Sequence, residues 1–184
     1  MKITDWLIQK STFPVVLVFT IIFFTFGVLV LPKESVRMEA FSHGAASPDT
    51  SLFYSPAMLE DMAAQYGSQG RAAYLSARWT FDVIFPLIYG GFLLVCIGWL
   101  LKHLYSKNSK AQLLVLFPVA AVGFDYFENI ATSIVMAAYP TRVPIVAAIA
   151  PIFTAIKWIL VGGSFLLLVA LMSLLFYRKM ISRK

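Results

Sequence analysis

Long runs of apolar residues dominate the chain. Four runs reach the length of about 20 residues that a helix needs to cross the hydrocarbon core of a bilayer. They occupy residues 12–31, 81–101, 113–138 and 145–176. We therefore predict an all-α fold, in which a four-helix transmembrane bundle forms a single membrane domain over residues 1–184.

The first run follows Lys2 and Lys10, as the apolar core of a secretory signal would. Its apolar core is longer than the roughly 7–15 residues of such a signal, and no small-residue cleavage site follows promptly. We interpret the first run as a retained membrane anchor.

The connection between the first two runs, residues 32–80, is polar and contains signals for a short helix. Ser55 followed by Pro56 is typical of a helix cap with proline at the first helical position, and Gly67 is a stop signal. We expect an amphipathic helix over about residues 56–66. Residues 34–50 are rich in Ser, Gly, Ala and Pro, which favours irregular structure there.

Composition supports a membrane location. The chain is 60% hydrophobic and 13% charged, whereas soluble domains are about 45–50% apolar. Cys96 is the single cysteine, so a disulfide framework or a dithiol redox site within one chain is excluded. The net charge of +6 comes from basic residues at the ends of apolar runs, which indicates membrane topology and not nucleic-acid binding.

The distribution of basic residues predicts the orientation. Nine lie at the N-terminus, in the second connection and at the C-terminus: Lys2, Lys10, Lys102, Lys107, Lys110, Arg178, Lys179, Arg183 and Lys184. The third connection carries only Arg142, and the first mixes basic with acidic residues. The positive-inside rule therefore places both termini in the cytoplasm (N-in, C-in) and the 32–80 connection outside. A multi-pass protein of a cell membrane, most simply a bacterial inner membrane, is the expected location.

Polar residues inside the apolar runs are the candidates for function. Asp125, Glu128 and Asn129 stand at positions i, i+3 and i+4, so helical geometry puts them on one face of the third span. The other candidates lie on or beside the second and fourth spans: Arg78, Asp82, Tyr89 and Lys157. Ionisable groups at membrane depth are costly and usually face the interior of the bundle.

Counting at about 1.5 Å per residue from the cytoplasmic ends gives the depth of these groups. Asp82 and Lys157 come out at roughly 29 Å, Glu128 at about 23 Å and Asp125 at about 18 Å. The spans thus bring their charges to similar levels in the outer half of the bilayer. We expect these groups and Asn129 to form one polar pocket there, with Tyr89 at its floor and Arg78 at its opening.

Two interpretations of this cluster remain open. In one, the polar contacts only fix the register of the helices, since such contacts in membranes average about 0.6 kcal/mol. In the other, the excess of acids marks a site, because three intramembrane carboxylates face one intramembrane lysine. Asp125 and Glu128, one turn apart in a low dielectric, would share a proton.

The residue types in the chain limit the metal sites and catalytic reactions that are possible. His43 and His103 lie on opposite sides of the membrane in the predicted topology, so a histidine-rich zinc site is excluded. Oxygen ligands for a hard cation are present among the acids, but we predict no metal and no cofactor. Nucleophilic serine catalysis lacks a histidine at the right depth.

Three hypotheses for function follow. The leading one is binding of a small amphiphile or lipid headgroup, with a cationic or hydrogen-bond-donating group, through the following residues: Arg78, Asp82, Tyr89, Asp125, Glu128, Asn129 and Lys157. The second is a membrane-embedded enzyme that acts on a lipid-like substrate, with Glu128 and Asp125 as the catalytic acid and base. The third is a structural or accessory subunit that docks a membrane-protein partner through small-residue faces. Membrane lipids are expected partners in each case.

Overall fold

A computed structural model describes residues 3–42 and 44–182, and within this part of the chain the fold is all-helical, without strands. The α-helices are α1 (Ile3–Lys10), α2 (Phe13–Leu29), α3 (Leu31–Ser42), α4 (Pro56–Gln65), α5 (Gly67–Arg78), α6 (Phe81–Leu104), α7 (Leu116–Ala138) and α8 (Pro144–Ile181). Short 3-10 helices cover Pro48–Thr50 and Lys110–Val115. Predictions that involve Lys2, His43, Arg183 and Lys184 lie outside the described residues.

Four helical stretches are long and apolar enough to cross a membrane, which confirms the all-α prediction with four spans. They run over Phe13–Ser42, Gly67–Leu104, Lys110–Ala138 and Pro144–Ile181. The first stretch begins one residue after the start of its predicted run, and the other three contain their predicted runs. The first two extend well beyond the apolar runs, because the polar helices α3 and α5 continue the apolar helices.

The first span packs at the edge of the bundle. Pro14 lies in the first turn of α2, where its missing N–H costs no hydrogen bond. Side chains of α2 are exposed or half-buried, as suits a helix that faces lipid. The contact with α6 is aromatic: Phe23 stacks on Phe92 with ring centroids 4.5 Å apart, and Phe26 stacks on Phe85 at 5.7 Å.

The centre of the bundle is α6, which contacts α1, α2, α7 and α8. Its buried residues include Leu93, Ile97 and Leu101, which belong to the larger of two apolar core clusters. The second core cluster lies around α4, α5, α7 and α8, and it includes Leu59, Tyr74, and small residues such as Ala131 and Ala147. α7 and α8 form the most extensive helix pair.

The connection between the first two spans is more regular than the sequence indicated. Residues 34–42 are helical and belong to α3, so the prediction of irregular structure over 34–50 is wrong for this part. The backbone N–H of Glu34 donates to the Val30 carbonyl at 3.1 Å, which carries the helical hydrogen bonding of α2 into α3. The helix breakers Gly44 and Pro48 lie beyond Ser42, the last residue of α3.

The helix expected over about residues 56–66 appears as α4. The Ser55 side chain accepts a hydrogen bond from the Met58 N–H at 3.2 Å, and Pro56 occupies the first helical position. Gly67 has a φ of +61°, a left-handed conformation that glycine adopts without steric cost, and it turns the chain from α4 into α5. α4 packs its buried face on α7 and α8.

Close approach of α3 and α5 requires a glycine. A Cβ atom at Gly70 would lie 2.5 Å from the Phe41 carbonyl oxygen of α3. The absence of a side chain at Gly70 thus lets α3 pack closely against α5, and both helices lie at the end of the bundle where α6 begins.

Candidate functional site

Seven polar residues meet in one buried network near the start of α6. The network consists of Asp49 from the connection, Arg78 of α5, Asp82 of α6, Asp125, Glu128 and Asn129 of α7, and Lys157 of α8. All of these except Asp49 are at most 7% exposed as residues. We call this set the polar network.

Lys157 and Glu128 form the ion pair at the heart of the polar network. The Lys157 ammonium contacts Glu128 Oε2, and the Thr154 hydroxyl donates to the other oxygen, Oε1, at 2.7 Å. Tyr54 lies 2.8 Å from the same hydroxyl. Both oxygens of Glu128 therefore contact groups of the protein itself, and the residue is only 1% exposed.

Arg78 connects three helices and the connection. Its Nε lies 3.0 Å from Asp82 Oδ2, one helical turn further along the chain. Its Nη1 donates to Asn129 Oδ1 at 3.2 Å, and the guanidinium carbon lies 4.7 Å from the centre of the Tyr74 ring. A buried guanidinium with several partners is held in one orientation, since its donors form a rigid fork.

Asp125 lies deeper along α7 and is held by uncharged donors. The Tyr89 hydroxyl donates to Oδ2 at 2.9 Å, and the Asn129 amide donates to Oδ1 at 3.2 Å. The same amide nitrogen also donates to the backbone oxygen of Asp82 in α6, at 3.3 Å. Asn129 thus links α5, α6 and α7 through one side chain.

Asp49 is the member of the polar network that sequence reasoning missed. Its Oδ1 accepts from Lys157 Nζ at 2.6 Å and lies 3.3 Å from Arg78 Nη1. Its backbone oxygen accepts from the Trp158 indole N–H at 3.1 Å. A weak local signal exists, since Ser47 followed by Pro48 starts the 3-10 helix that carries Asp49, but no pattern of spacing relates Asp49 to α8.

The two cations determine the charge state of Asp49. Burial alone would raise the pKa of the Asp49 carboxyl, but the charges of Arg78 and then Lys157 outweigh it and hold that pKa well below its ordinary value. Burial raises the pKa of the nearby Tyr54 phenol, so this group remains a neutral hydroxyl. Asp49 is therefore an anion bound to two cations.

The polar network carries more acids than bases. Four carboxylates, those of Asp49, Asp82, Asp125 and Glu128, lie with two cations, Arg78 and Lys157. Each cation already has a carboxylate partner on a membrane helix. The α7 and α8 side of the network is thus closed by contacts within the protein, whereas Asp49 and Asp82 lie on the side of the connection.

A cavity of about 410 Å³ lies on that side. It is bounded by α3, the segment that carries Asp49, α5 and the start of α6. Its charged lining residues are Glu34, Glu39, Asp49, Arg78 and Asp82, and its apolar lining includes Leu31, Met38 and Phe81. The Oε1 atom of Glu34 is buried and lacks a hydrogen-bond partner among the described residues.

The cavity divides the predicted ligand residues into two groups. Arg78 and Asp82 line it. The others lie behind them in contacts within the protein: Tyr89, Asp125, Glu128, Asn129 and Lys157. The expectation that the acids of α6 and α7 share one open pocket therefore differs from the geometry, because Lys157, Thr154, Tyr89 and Asn129 occupy the oxygens of the α7 acids.

His103 and Cys96 lie outside the polar network. Among residues 3–42 and 44–182, no group of three or more His, Cys, Asp and Glu side chains is arranged to hold a metal ion. His103 lies at the other end of α6, with Nδ1 2.7 Å from the Trp99 carbonyl oxygen. Cys96 is a buried free thiol in the apolar core.

Comparison of the chain with protein-family models, with curated proteins and with solved structures gives no match, so the assignment of a function depends on the site itself.

Proposed function

We propose that this protein is a multi-pass membrane protein that binds the cationic group of a small amphiphile or lipid headgroup in the cavity between α3, α5 and α6. The observation that carries the proposal is the charge of the cavity wall, where four carboxylates accompany one guanidinium. Three of these acids, Glu34, Glu39 and Asp49, belong to the connection, and Asp82 belongs to α6.

The proposed orientation places this cavity at the outer face of the membrane. At the opposite end of the bundle Asp5 is the only described acid, and six basic residues lie there: Lys10, Lys102, Lys107, Lys110, Arg178 and Lys179. Near the cavity, basic residues are mixed with acidic ones. The Arg178 guanidinium donates to the Leu104 carbonyl at 2.8 Å, so both basic ends lie together. The positive-inside rule then makes this end cytoplasmic and the cavity external.

The lining of the cavity suits an amphiphile. Leu31 is the first residue of α3, next to the first apolar run, and Phe81 is the first residue of α6, at the start of the second run. Met38 extends this apolar wall. An alkyl chain would pass along these residues toward lipid while its cationic group stays among the carboxylates. Sites for small ligands typically combine apolar walls with a few polar groups that fix orientation.

The acid excess supports binding over a purely structural role. Fixing helix register needs few polar contacts, whereas ionisable groups in a membrane are costly and usually mark a functional site. The Arg78–Asp82 and Lys157–Glu128 pairs would suffice to join α5, α6, α7 and α8. Glu34 and Glu39 take no part in those pairs and line the cavity. Glu34 Oε2 lies 3.4 Å from Arg37 Nη1 on the same helix, and its Oε1 has no partner among the described residues.

The proposal is tested with three amphiphiles that have ten carbon atoms each and headgroups of positive, zero and negative charge: decylammonium, decanol and decanoate. We expect the purified protein to bind decylammonium most tightly, and Glu34→Gln to weaken that binding about fivefold, since one partly exposed ion pair contributes up to about 1 kcal/mol. Asp61→Asn is the control, because Asp61 is an exposed acid of α4 outside the cavity. Equal binding of the three amphiphiles, or an unchanged affinity in Glu34→Gln, would contradict the proposal.

The other two hypotheses stay predictions. Catalysis by Glu128 and Asp125 requires access to a substrate, yet their oxygens are engaged by Lys157, Thr154, Tyr89 and Asn129. A role as an accessory subunit predicts a second chain in stoichiometric amount after purification in mild detergent. Native mass spectrometry of the purified protein separates these cases, since it detects a bound amphiphile or a partner chain directly.

A further inference from the structure

Asp49 occupies a position where two buried cations converge. Lys157 comes from α8 and Arg78 from α5, and both bind the same carboxylate oxygen, Oδ1. The side chains of Arg78 and Lys157 are 6% and 3% exposed, whereas that of Asp49 is 28% exposed. A partly accessible carboxylate from a connection thus occupies an anion site built by two membrane helices.

Neither cation depends on Asp49 for neutralisation. Arg78 keeps Asp82 at 3.0 Å, and Lys157 keeps Glu128. Asp49 is therefore a third anion on two pairs that already balance. If another anion of the same charge replaced the Asp49 carboxylate, the total charge of the polar network would not change. The cost of desolvating the two buried cations would then be offset equally well with either anion bound.

The cavity adjoins this anion site. Asp49 and Arg78 both line the cavity wall. A ligand among its acids lies beside Arg78, and Lys157 lies directly behind the Asp49 carboxylate that the ligand meets. A phosphodiester has two unesterified oxygens and can give one to each cation, whereas Asp49 presents a single oxygen, Oδ1, to both. Arginine and lysine are common phosphate-binding groups in proteins.

We propose that the ligand carries a zwitterionic headgroup with an amine and a phosphodiester, and that its phosphate replaces the Asp49 carboxylate on Arg78 and Lys157. This inference rests on the binding function proposed above and specifies its ligand. The amine lies among Glu34, Glu39 and Asp82, while Asp49 moves out of the anion site. Asp49 is thus the protein's own substitute for the ligand phosphate when the cavity is empty of ligand.

The contacts around Asp49 provide a reporter for this exchange. The Trp158 indole donates to the Asp49 backbone oxygen at 3.1 Å, and the Lys157 ammonium lies 5.0 Å from the centre of the Trp158 ring. Movement of Asp49 would change both contacts. Replacement of the other three tryptophans by phenylalanine leaves Trp158 as the single indole fluorophore: Trp6→Phe, Trp79→Phe and Trp99→Phe.

The experiment compares two ligands with the same alkyl chain on the purified full-length protein, decylphosphoethanolamine and decylammonium. In the protein with Trp158 alone, decylphosphoethanolamine is expected to shift the emission of Trp158 and to bind about tenfold more tightly than decylammonium. Glycerophosphoethanolamine, which has the headgroup without an alkyl chain, identifies the source of the ligand. Binding as tight as that of the decyl compound indicates a soluble headgroup, and much weaker binding indicates a membrane lipid.

Asp49→Ala gives opposite results for the two ligands. It removes the substitute anion, so binding of decylphosphoethanolamine tightens about tenfold, as expected when a competing closed state is removed. It also removes one acid of the cavity, so binding of decylammonium weakens. Asp61→Ala, at an exposed acid of α4, changes neither affinity. Asp49→Asn, which keeps the shape of the side chain, changes both affinities in the same directions by smaller factors.

Each outcome separates the inference from the function on which it rests. If Asp49→Ala weakens the binding of both ligands, Asp49 is only another acid of a cation site, and the inference fails while the proposed function stands. If the wild-type protein binds neither ligand, both proposals fail. If decylphosphoethanolamine binds without any change in Trp158 emission, the exchange at Asp49 is overturned even where the variants fold poorly.

Discussion

Lys157 Nζ lies 2.6 Å from Asp49 Oδ1, although the two residues are 108 positions apart in the chain. This contact joins the connection between the first two spans to α8. It also places a partly exposed carboxylate on a lysine whose side chain is 3% exposed. The polar network therefore ends at a group that solvent and ligands can reach.

The stability contributed by Asp49 is expected to be independent of pH across the neutral range. Burial opposes ionisation, but Arg78 and Lys157 hold the pKa of Asp49 below its ordinary value. A group whose pKa is lowered by folding stabilises the fold at every pH above its unfolded-state pKa, here about 4, and loses that contribution as the pH falls through its folded-state pKa. The difference in melting temperature between wild type and Asp49→Asn should thus be equal at about pH 8 and about pH 5.5, and shrink only below about pH 4.

Melting followed by tryptophan fluorescence in detergent measures this difference. A stabilisation that already declines between about pH 8 and about pH 5.5 would mean that Asp49 titrates in the neutral range and is not held by the two cations. Asp61→Asn serves as the reference, since Asp61 is an exposed acid in the same connection.

Loss of the Lys157 ammonium is expected to cost far more than loss of an exposed lysine. Lys157→Met leaves Glu128 buried without its cation, and breaking a buried ion pair in this way costs about 3–5 kcal/mol of unfolding free energy. The matched control is Lys179→Met in the last turn of α8, where the side chain is exposed and the effect should stay within about 0.5 kcal/mol.

A second substitution distinguishes charge from packing at Lys157. Glu128→Gln removes the stranded negative charge, so the double variant Lys157→Met/Glu128→Gln should recover part of the stability lost in Lys157→Met. Unfolding free energies from mixed-micelle denaturation give the coupling between the two positions. Additive losses would show that the two side chains do not act as an ion pair.

Helical periodicity explains why much of the fold and part of the site could be predicted. The apolar runs give four membrane-length helices, and the i, i+3, i+4 spacing of Asp125, Glu128 and Asn129 gives one polar face on α7. Since ionisable groups avoid lipid, that face was expected to meet Asp82 and Lys157. All of these residues belong to the polar network.

The contribution of the connection could not be predicted in the same way. Asp49 reaches Lys157 through a tertiary contact, for which the sequence has no periodic signal. The helix α3 was not predicted, because Gly44 and Pro48, which follow it, led to a prediction of irregular structure for the whole segment. Without α3 and Asp49 the cavity has no outer wall, so the sequence placed the open pocket among the α7 acids instead.

Close packing of α3 on α5 is expected to control the shape of the cavity. A Cβ atom at Gly70 would lie 2.5 Å from the Phe41 carbonyl oxygen, a backbone atom that moves only if α3 moves. Gly70→Ala should therefore displace α3, which carries Glu34, lower the unfolding free energy by about 1–3 kcal/mol and weaken binding of decylammonium.

The control for this prediction is another helical glycine. Apart from the adjoining residues of α7, no described atom lies within 4 Å of a Cβ added at Gly123, so Gly123→Ala should leave both stability and binding at least as high as in the wild type. Calorimetric titration with decylammonium and denaturation in mixed micelles supply the two readouts. Equal effects of both substitutions would show that the α3–α5 contact does not shape the cavity.

The orientation of the chain is tested by labelling single cysteines in intact cells. Cys96 is buried and is first replaced by Ala, so that introduced thiols are the only targets. Ser68 of α5 and Ser106 between α6 and α7 are both exposed serines, and Ser68→Cys and Ser106→Cys change neither volume nor charge greatly. The positive-inside rule places Ser68 outside and Ser106 in the cytoplasm.

A membrane-impermeant maleimide should therefore label Ser68→Cys in intact cells, and Ser106→Cys only after permeabilisation. The reverse pattern would put the cavity on the cytoplasmic side, where its ligand would come from the inner leaflet.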